Sequence, residues 1–369
     1  MKARKKTLLL LFLAGFTWVR AADEGFAPLF NGTNLDGWVN INGAPETWSA
    51  SNGVIHCTGF PTGAMRTERQ YENFILEAEW RHLQAGGNSG IFIWGGPLPA
   101  PGVPYLRGIE VQMLDNGFAI KGKNDWYTTH GDIFPIHGAT MKPLGRVSSR
   151  GDRAFPAEER SKSAPEWNHY RIVCTNGTIR LSVNGKEVSR GEDCNYRKGY
   201  LALESEGAPV EFRNVRLQEL PPSGVPAEQT APVAAAWRCL FNGIDLRGWN
   251  EAASGWKVAG GKLVADAPES GISTAPTFGV AAFIVDCRLA KGATNVPVLV
   301  FRGMEFPLTG AVAEKYHRFQ LAVTATAATL ARDGELVARK ELSAGAPARS
   351  ALEIRAQAAD CFNIFAGER

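Results

Sequence analysis

Two polar residues on one predicted strand are the strongest candidates for chemistry in this sequence. Glu110 and Gln112 alternate with the apolar residues Ile109, Val111 and Met113. A strand would therefore place the two polar side chains together on one face. A carboxylate on such a face can act as a general base if a surrounding cleft removes water and raises its pKa. The same alternation also describes an ordinary solvated sheet face, which remains the alternative.

The residues after this strand could supply the other groups of a polar cleft. Asp115 begins a turn, and the irregular segment that follows holds Trp126, Tyr127 and His130, with Lys142 further on. These side chains offer a proton donor, a cation and flat surfaces for a ligand ring. Each also has a simpler interpretation, because His130 could be a surface histidine of a glycine-rich loop and Lys142 could be solvated.

Composition and charge limit the class of protein. The 369 residues carry a net charge of +3, and charges of both signs are interspersed. This argues against the clustered basic face of a nucleic-acid-binding protein. Forty glycines, ten tryptophans and little helical periodicity favour an all-β protein with many turns, and the length allows two domains.

Residues 1–22 have the pattern of a secretory signal, with a basic start, the short apolar run Leu8–Ala14 and small residues before Ala22. We expect a secreted or periplasmic protein without a membrane span after signal removal, since the apolar run is short; a retained anchor is the alternative. The six cysteines include no CxxC pair, which argues against a structural zinc site. Cys174 and Cys287 lie in apolar runs and are expected in the core, while disulfide pairing stays open.

The chain contains an internal repeat. LFNGTNLDGW at Leu29–Trp38 recurs as LFNGIDLRGW at Leu240–Trp249. A repeat this long indicates duplicated domains rather than a solenoid, whose periods run to about 50 residues. We therefore expect one domain at 23–220 and a degenerate second at 237–369, joined by a proline-rich linker at 221–236.

The second copy is shorter than the first. Phe74 matches Phe283 at an offset of 209, whereas Glu204 matches Glu353 at an offset of 149. The net loss of 60 residues, the difference between these offsets, falls between about residues 93 and 167. Because this segment contains the candidate strand, we expect it to fold over the sheet and wall a cleft in the first domain alone.

Short alternating runs bounded by turn residues predict the strands of the first copy. They are Gly53–His56, Phe74–His82, Ser89–Trp94, Gly108–Met113, Tyr170–Thr175, Thr178–Val183, Tyr200–Glu204 and Val210–Leu217. Asn176-Gly177 and Asn184-Gly185 are typical hairpin turns. The pattern predicts a sandwich or jelly roll. Glu77 and Glu79 share a polar face that could either line the same surface as the candidate strand or face water.

A set of motifs in one order carries a family resemblance. The motifs are LFNG-x-x-L-x-GW, GGNSGIFIW (Gly86–Trp94), GIEVQMLD (Gly108–Asp115), VNGKEV (Val183–Val188) and GYLALESEGAPVEFRNVRL (Gly199–Leu217). Together they resemble the 3-keto-disaccharide hydrolase family, whose members are similar to concanavalin A-like lectins and glucanases. The resemblance covers about Phe26–Leu220 closely and Trp237–Ala366 in outline. It implies an all-β protein of two tandem concanavalin A-like jelly-roll β-sandwich domains.

The resemblance also implies a hydrolase that cleaves 3-keto-glycosides or 3-keto-disaccharides. A ketone at C3 acidifies the hydrogen on C2, and its removal gives an enolate that can expel the glycosidic oxygen from C1. Water then adds to C1. Such a site needs a base near C2, a cation or donor at the enolate oxygen and an acid for the leaving oxygen.

These needs assign roles to residues of this chain. Glu110 is the candidate base or metal ligand. His130 or His137 would be the acid, and Lys142 or Arg66 would stabilise the enolate. The candidates for contact with the carbohydrate substrate are Arg66, Glu79, Asn88, Trp94, Gln112, Asp115, Trp126, Tyr127 and Glu204.

The chain departs from the family pattern at one place. Some relatives carry Gln-x-His where this sequence has Glu204-Ser205-Glu206. If that histidine is an acid or ligand, its role must fall here to Glu204, Glu206 or another histidine. No ligand spacing names a metal, so the cofactor is unknown and a divalent cation such as Ca²⁺ stays open.

Two other functions remain open. One is a non-catalytic, lectin-like carbohydrate-binding protein that stacks sugars on aromatic side chains, namely Trp94, Tyr105, Trp126 and Tyr127. The other is an ordinary glycoside hydrolase using Glu110 and Asp115, although the Glu-x-Asp-x-x-Glu pattern of retaining jelly-roll glycosidases is absent. The second domain could extend the cleft, bind glycan or stabilise the first domain. The sequence indicates neither the sugar nor the oligomeric state.

Overall fold

A computed structural model describes residues 25–118, 125–234, 236–250, 255–266 and 270–368. The predicted secretion signal at 1–22 lies outside these residues. Within the described ranges, no helix is both long and apolar enough to cross a membrane.

The regular elements in the described residues of the first part of the chain are all strands. In the described residues they are β1 (Ala27–Pro28), β2 (Trp38–Asn40), β3 (Trp48–Ser51), β4 (Val54–Cys57), β5 (Gly63–Thr67), β6 (Phe74–His82), β7 (Gly90–Gly95), β8 (Gly108–Gln112), β9 (Ile133–Ile136), β10 (Thr140–Leu144), β11 (Arg146–Val147), β12 (Ala154–Phe155), β13 (Asn168–Thr175), β14 (Thr178–Val183), β15 (Lys186–Asn195), β16 (Tyr200–Ser205) and β17 (Val210–Glu219).

These strands form two antiparallel sheets. The back sheet has the order β10-β15-β14-β13-β6-β17-β4-β3, with β1 paired to β17, and the front sheet has the order β11-β12-β9-β8-β7-β16-β5-β2. Their inner faces enclose one core that includes Trp80, Tyr170 and Phe212 of the back sheet and Ile91 and Val111 of the front sheet. The arrangement is a β-sandwich, with outer faces free for other contacts.

Turn chemistry fixes the register of the hairpins. Asn176 and Gly177 have φ values of 50° and 76°, and Asn184 and Gly185 have values of 47° and 88°. Two successive residues with positive φ form the tight turn that matches the twist of the flanking strands. The predicted bounds Phe74–His82 and Thr178–Val183 are confirmed as β6 and β14.

The second part of the chain folds into a smaller sandwich. Its strands within the described ranges are β18 (Trp237–Cys239), β19 (Trp256–Ala259), β20 (Lys262–Ala265), β21 (Ser270–Ser273), β22 (Ala281–Leu289), β23 (Val298–Phe301), β24 (Met304–Pro307), β25 (His317–Val323), β26 (Ala327–Arg332), β27 (Glu335–Glu341), β28 (Glu353–Ala356) and β29 (Ala359–Glu368). The sheet orders are β19-β20-β29-β22-β25-β26-β27, with β18 paired to β29, and β21-β28-β23-β24.

The second sandwich repeats the strand order of the first. The sheet β27-β26-β25-β22-β29-β20-β19 follows β15-β14-β13-β6-β17-β4-β3, and β24-β23-β28-β21 follows β8-β7-β16-β5. In the described residues, β2 and β9–β12 of the first sandwich have no counterpart. Most of the predicted 60-residue loss thus lies between β8 and β13, in the segment that contains β9–β12. The candidate strand β8, which was expected to fall in the lost segment, has a counterpart in β24. The predicted fold class of two tandem all-β sandwiches is confirmed.

The predicted linker is 221–236, and its described stretch 221–234 packs against the first sandwich. It contains a 3₁₀ helix at Ala227–Gln229. The Arg197 amide donates to the Gln229 carbonyl at 2.8 Å, and the Ala231 amide donates to the Lys198 carbonyl at 2.7 Å. The described part of the linker therefore packs along the surface of the first domain.

The two sandwiches share an apolar contact. Phe92, Ala202 and Leu106 of the first domain form one buried cluster with Ile284 and Phe365 of the second. Phe92 pairs with Glu110 across β7 and β8. The second domain therefore covers part of the outer face of the front sheet, beside the candidate strand.

Candidate active site

Strand β8 presents its polar residues away from the core. Ile109, Val111 and Met113 belong to the main core, as the alternation predicted. Glu110 and Gln112 lie on the opposite face, and each is 7% exposed. The strand is held between β7 and β9, so neither side chain is on a sheet edge.

Glu110 opens into a small cleft on this outer face. The cleft has a volume of about 200 Å³. Its lining consists of Asn88, Tyr105, Glu110, Gln112, Phe134, Ile136, His137, Arg153, Glu204 and Glu206. The cleft is thus rich in acidic and hydrogen-bonding groups with aromatic walls, which suits a polar ring-shaped ligand.

Three glutamates meet in this cleft. Glu204 on β16 is 1% exposed, and its Oε2 atom has no hydrogen-bond partner among the described residues. A Cβ atom built on Gly90 would lie 3.0 Å from both Glu110 Oε1 and Glu204 Oε2. These two oxygens are therefore separated by at most twice that distance. Glycine at position 90 leaves the carboxyl groups room to approach.

Burial and mutual repulsion change the protonation of the three carboxyl groups. Desolvation, followed by the charge of Glu206, raises the pKa of Glu110 from 4.5 to about 8. Desolvation and the charges of Glu110 and Glu206 raise the pKa of Glu204 well above its ordinary value. Desolvation also raises the pKa of Glu206, against hydrogen bonds from Tyr105 and Asn88 that lower it. The cluster titrates as a unit and keeps protons near neutral pH, so it can hold both an acid and a base.

A hydrogen-bond chain orders one side of the cluster. The Tyr105 hydroxyl donates to Glu206 Oε1 at 2.8 Å, and the Asn88 amide donates to Glu206 Oε2. Gln112 Nε2 donates in turn to Asn88 Oδ1 at 2.8 Å. Burial raises the pKa of the Tyr105 hydroxyl, so this group stays protonated and acts as a donor.

Arg153 supplies a positive charge to the cleft. Its guanidinium lies 3.2 Å from Asp132 Oδ2 and 3.4 Å from Gln112 Oε1, and stacks 3.4 Å from the centroid of the Phe134 ring. Its charge lowers the pKa of Glu110 against the raising effect of burial. A fixed cation beside a cluster of acids can stabilise an oxyanion that forms there.

The structure brings four of the predicted site residues together, namely Asn88, Glu110, Gln112 and Glu204. His137, an alternative for the acid, also lines the cleft and stacks on Tyr105 with ring centroids 5.8 Å apart. Burial lowers the pKa of His137, so its neutral form is favoured.

Three of the cleft residues were not assigned by sequence reasoning. Phe134 and Ile136 lie on β9 and Arg153 lies in the turn before β12, where the sequence has no clear alternation. Glu206 differs from these residues, because the sequence indicated a role for its position: some relatives have a histidine there.

The predicted site roles of Lys142 and Glu79 do not agree with their positions in the structure. Both lie on the back sheet, on β10 and β6. The Lys142 ammonium is exposed and pairs with Glu192 at 2.7 Å. Glu79 accepts hydrogen bonds from Arg213 and Asn214 at 2.7 Å. The polar face of β6 is therefore an ion-paired outer surface and does not line the cleft.

Three further candidates have structural partners instead. Trp94 is 0% exposed in the core and donates to the Glu72 carbonyl, so it cannot stack on a sugar. Arg66 donates to the carbonyls of Pro97 and Thr67 and stacks on Tyr200. Asp115 accepts the backbone amides of Gly86, Gly117 and Ala164, which lower its pKa although burial raises it.

His130 and Tyr127 line a different cavity of about 280 Å³. His130 is 3% exposed, and burial lowers its pKa. Its Nε2 atom lies 3.7 Å from Glu159. Trp126 is 38% exposed and lies under the Arg150 guanidinium, with Arg153 at 5.5 Å. Arg153, which also lines the cleft, links Trp126 to it.

Metal binding finds no support in the described part of the chain. No group of three or more His, Cys, Asp or Glu side chains there is arranged to hold an ion. The predicted alternative of Glu110 as a metal ligand stays a prediction.

The second sandwich carries a different set of charges at the matching position. The offset of 149 places Glu353 against Glu204 and Arg355 against Glu206. Arg355 pairs with Glu353 at 2.8 Å and with Glu305, on the strand matching β8, at 2.6 Å. Where the first domain concentrates acids in a buried cleft, the second has an ion-paired group of two glutamates and one arginine at its surface.

A family model describes this first domain. The model of the 3-keto-alpha-glucoside-1,2-lyase-like domain matches residues 25–218, more than half of the chain. The chain belongs to this family. The match ends before the second sandwich, whose origin as a degenerate copy stays a prediction from shared motifs and strand order. Membership of the 3-keto-alpha-glucoside-1,2-lyase-like family indicates a hydrolase that acts on carbohydrates.

Solved structures also resemble the chain in part. A Parabacteroides distasonis protein provisionally assigned as a glycosyl hydrolase is 22% identical, with coverage of 54% of this chain and 96% of its own and a TM-score of 0.43. The carbohydrate-binding module CBM66 of Bacillus subtilis is 14% identical, with coverage of 51% and 98% and a TM-score of 0.36. A Bacillus subtilis protein of unknown function with a galectin-like fold is 9% identical, with coverage of 49% and 89% and a TM-score of 0.32. A search of curated proteins found no match.

Proposed function

We propose that this exported protein cleaves glycosides whose sugar carries a ketone at C3. The observation that carries the proposal is the buried cluster of Glu110, Glu204 and Glu206 beside Arg153. Such a cluster holds protonated and ionised carboxyl groups together near neutral pH, and elimination from a 3-keto-glycoside needs an acid and a base in one site.

The reaction proceeds in two balanced stages. A carboxylate removes the hydrogen on C2, the C3 ketone takes up the electron pair as an enolate, and the enolate reforms the ketone as the C1–O bond breaks. The leaving oxygen receives a proton from a carboxylic acid. Water then adds its oxygen to C1 of the resulting enone, and C2 receives a proton. The net change is hydrolysis of the glycosidic bond.

The roles follow from the surroundings of each group. Glu110 is the base, because Arg153 favours its ionised form while burial raises its pKa into the working range. Glu206 is the acid in this proposal, because burial raises its pKa and hydrogen bonds from Tyr105 and Asn88 orient it. Arg153 stabilises the enolate oxygen in place of the predicted Lys142.

The first test compares Glu110→Gln with the matched control Glu79→Gln on a 3-keto-glucoside. Glu110→Gln should lower kcat by about a hundredfold or more, since a general base contributes about 10²–10⁴-fold. Glu79→Gln should keep wild-type activity, because this carboxylate lies on the ion-paired back sheet. The assay is release of the leaving group, with circular dichroism to show that both variants fold. Unimpaired Glu110→Gln would remove the base assignment.

The same assay distinguishes the alternative functions. The matched glucoside without the ketone should remain intact, because its C2 hydrogen is not acidic. Cleavage of both glucosides at similar rates would indicate an ordinary glycoside hydrolase. Saturable binding of either without product release would indicate a lectin-like protein.

A further inference from the structure

A second cavity lies between the two sandwiches, next to the cleft. It has a volume of about 220 Å³. Both domains line it, and the residues that matter here are Phe60, Tyr105, Lys262, Tyr316, Phe362 and Asn363. The family model ends at residue 218, so more than half of the residues that line this cavity lie outside the family domain.

Tyr105 connects this cavity with the cleft. The same side chain lines both spaces, and its hydroxyl donates to Glu206. The cavity also borders the loop at Phe60 and Pro61, where the Pro61 carbonyl accepts a hydrogen bond from Ser205, the residue before Glu206. A ligand that passes Tyr105 would therefore have one part at the glutamate cluster and another part between the domains.

The second domain fixes the wall that the two spaces share. This wall is the Tyr105 loop, residues 96–107, which joins β7 to β8. The Gly102 amide donates to Asp286 Oδ2 at 2.9 Å, and the Pro99 carbonyl accepts from Arg318 at 2.8 Å. The Val103 carbonyl accepts from Asn363 at 2.8 Å.

The ion pair of Asp286 and Arg318, which holds this loop on the second domain, has a well-defined geometry. Asp286 is 0% exposed, and Arg318 forks onto both of its oxygens at 2.7 and 2.8 Å. A charge pair that is buried and fully hydrogen-bonded holds one geometry. The cavity is therefore pre-formed, which reduces the ordering that a ligand must cause when it binds.

The lining suits a sugar ring. Phe60 is 51% exposed and offers an aromatic face for the apolar C–H groups of a sugar. Tyr316 and Phe362 form an edge-to-face pair on the other side, with ring centroids 4.7 Å apart. Lys262 lies 5.4 Å from the Tyr316 ring and can donate to hydroxyl groups. Aromatic faces with a few polar groups are the usual composition of a small-molecule site.

We propose that this interdomain cavity is the subsite for the sugar that leaves when the glycosidic bond breaks. The inference rests on the proposed function and adds to it a place for this second sugar, built partly by the second domain, while the keto sugar lies at the glutamate cluster. Glu206, on the side of Tyr105, is then the carboxyl group nearest the glycosidic oxygen. The second domain has a direct role in substrate choice.

The test uses the full-length protein and two substrates, methyl 3-keto-glucoside and a 3-keto-disaccharide with the same glycosidic linkage. The readout is the ratio of kcat/KM for the disaccharide to that for the methyl glycoside. Phe60→Ala and Lys262→Ala should each lower this ratio by about three- to tenfold, the size of a lost aromatic or hydrogen-bonding contact.

Two variants serve as matched controls. Leu83→Ala removes another exposed apolar side chain (45% exposed) and Lys291→Ala removes an exposed lysine, and neither residue lines the cavity. Both controls should keep the wild-type ratio. An unchanged ratio in Phe60→Ala and Lys262→Ala, or an equal loss in the controls, would overturn the subsite.

A binding measurement separates failure of the subsite from failure of the proposed function. If the wild-type protein cleaves neither substrate, the proposed function fails, and saturation-transfer NMR with maltose and cellobiose still tests the cavity. Binding that Phe60→Ala abolishes and Leu83→Ala keeps would support a sugar site between the domains. Absence of binding to both sugars would overturn it.

Discussion

Glu110, Glu204 and Glu206 share a cleft to which Arg153 brings a positive charge. The cost of ionising three carboxyl groups in a water-poor space is what raises their pKa values, and desolvation is the largest cause for each. The same cost prepares the group for proton transfer, because carboxyl groups with different surroundings divide into an acid and a base.

The raised pKa of Glu110 has a consequence for stability. Between its ordinary pKa of 4.5 and its folded value of about 8, the folded protein keeps a proton that the unfolded chain has lost. The stabilisation from this group is thus complete below pH 4.5 and is lost as the pH rises through about 8. Glu110→Gln has no proton to lose, so its Tm relative to the wild type should increase between about pH 5 and pH 8.5.

Thermal unfolding at a series of pH values measures this difference. Glu79→Gln provides a contrast of opposite sign. Despite the raising effect of burial, hydrogen bonds from Asn214 and Arg213 lower the pKa of Glu79, so its stabilisation is present above its ordinary pKa and is lost in acid. A Tm difference for Glu110→Gln that stays constant across the range would contradict the buried-cluster account.

The position of a single side chain could be predicted where the alternation of apolar and polar residues along a strand determined which face of the sheet it occupies. Glu110 and Gln112 were assigned to one face because their neighbours Ile109 and Val111 had to enter the core. Lys142 was assigned wrongly, because it lies on β10, which returns to the back sheet. Nothing local to a lysine before a proline shows which sheet the strand joins.

At the scale of elements, the Tyr105 loop decides the shape of the site. It joins β7 to β8 over residues 96–107, whereas the matching strands β23 and β24 are joined by residues 302–303 alone. The longer connection places Tyr105 beside the glutamates. It also provides backbone groups that form hydrogen bonds with the second domain.

Tyr105→Phe tests the contribution of this loop. The change removes the hydrogen bond to Glu206 while the ring that stacks on His137 remains. Since that hydrogen bond lowers the pKa of Glu206, its loss should raise this pKa further. Activity requires protonated Glu206, so the basic limb of the pH–rate profile should move to higher pH, and kcat/KM should fall by about tenfold. A basic limb that stays in place would contradict the assignment of Glu206 as the acid.

Elements with clean alternation and strong turns were predicted with their bounds. β6 and β14 are examples, since turn residues flank both. The Tyr105 loop and β9–β12 were not predicted, because their sequences are irregular and their paths depend on distant partners such as Asp286. A local sequence pattern carries no information about such long-range contacts.

At the scale of the whole molecule, the internal repeat predicted a second domain, and the structure has a second sandwich in that region. The predicted loss of the candidate strand is wrong, because β24 matches β8; among the described residues, the second sandwich lacks counterparts of β2 and β9–β12. The way in which the two sandwiches dock was not predictable. It depends on Ile284 and Phe365, which lie outside the main core of the second domain and are buried in a cluster with residues of the first.

Asp286→Asn tests the coupling between the domains. The variant leaves the buried Arg318 guanidinium without its counter-charge, which should destabilise the protein by about 3–5 kcal/mol. Hydrogen exchange should become faster in the Tyr105 loop, where the Gly102 amide loses a charged acceptor. The exposed pair of Asp266 and Lys257 offers a control, and Asp266→Asn should cost less than about 1 kcal/mol. Unchanged exchange in the loop of Asp286→Asn would show that the second domain does not order it.

The central claim is that the glycosidic bond breaks through loss of the hydrogen on C2. The most direct measurement is cleavage of a 3-keto-glucoside in D₂O, with NMR of the released keto sugar at early times and the same sugar without enzyme as the control for spontaneous exchange. Elimination and hydration predict one deuterium at C2 in each molecule of product formed by the wild-type protein. A product that retains its original hydrogen at C2 would contradict the account and indicate direct displacement at C1.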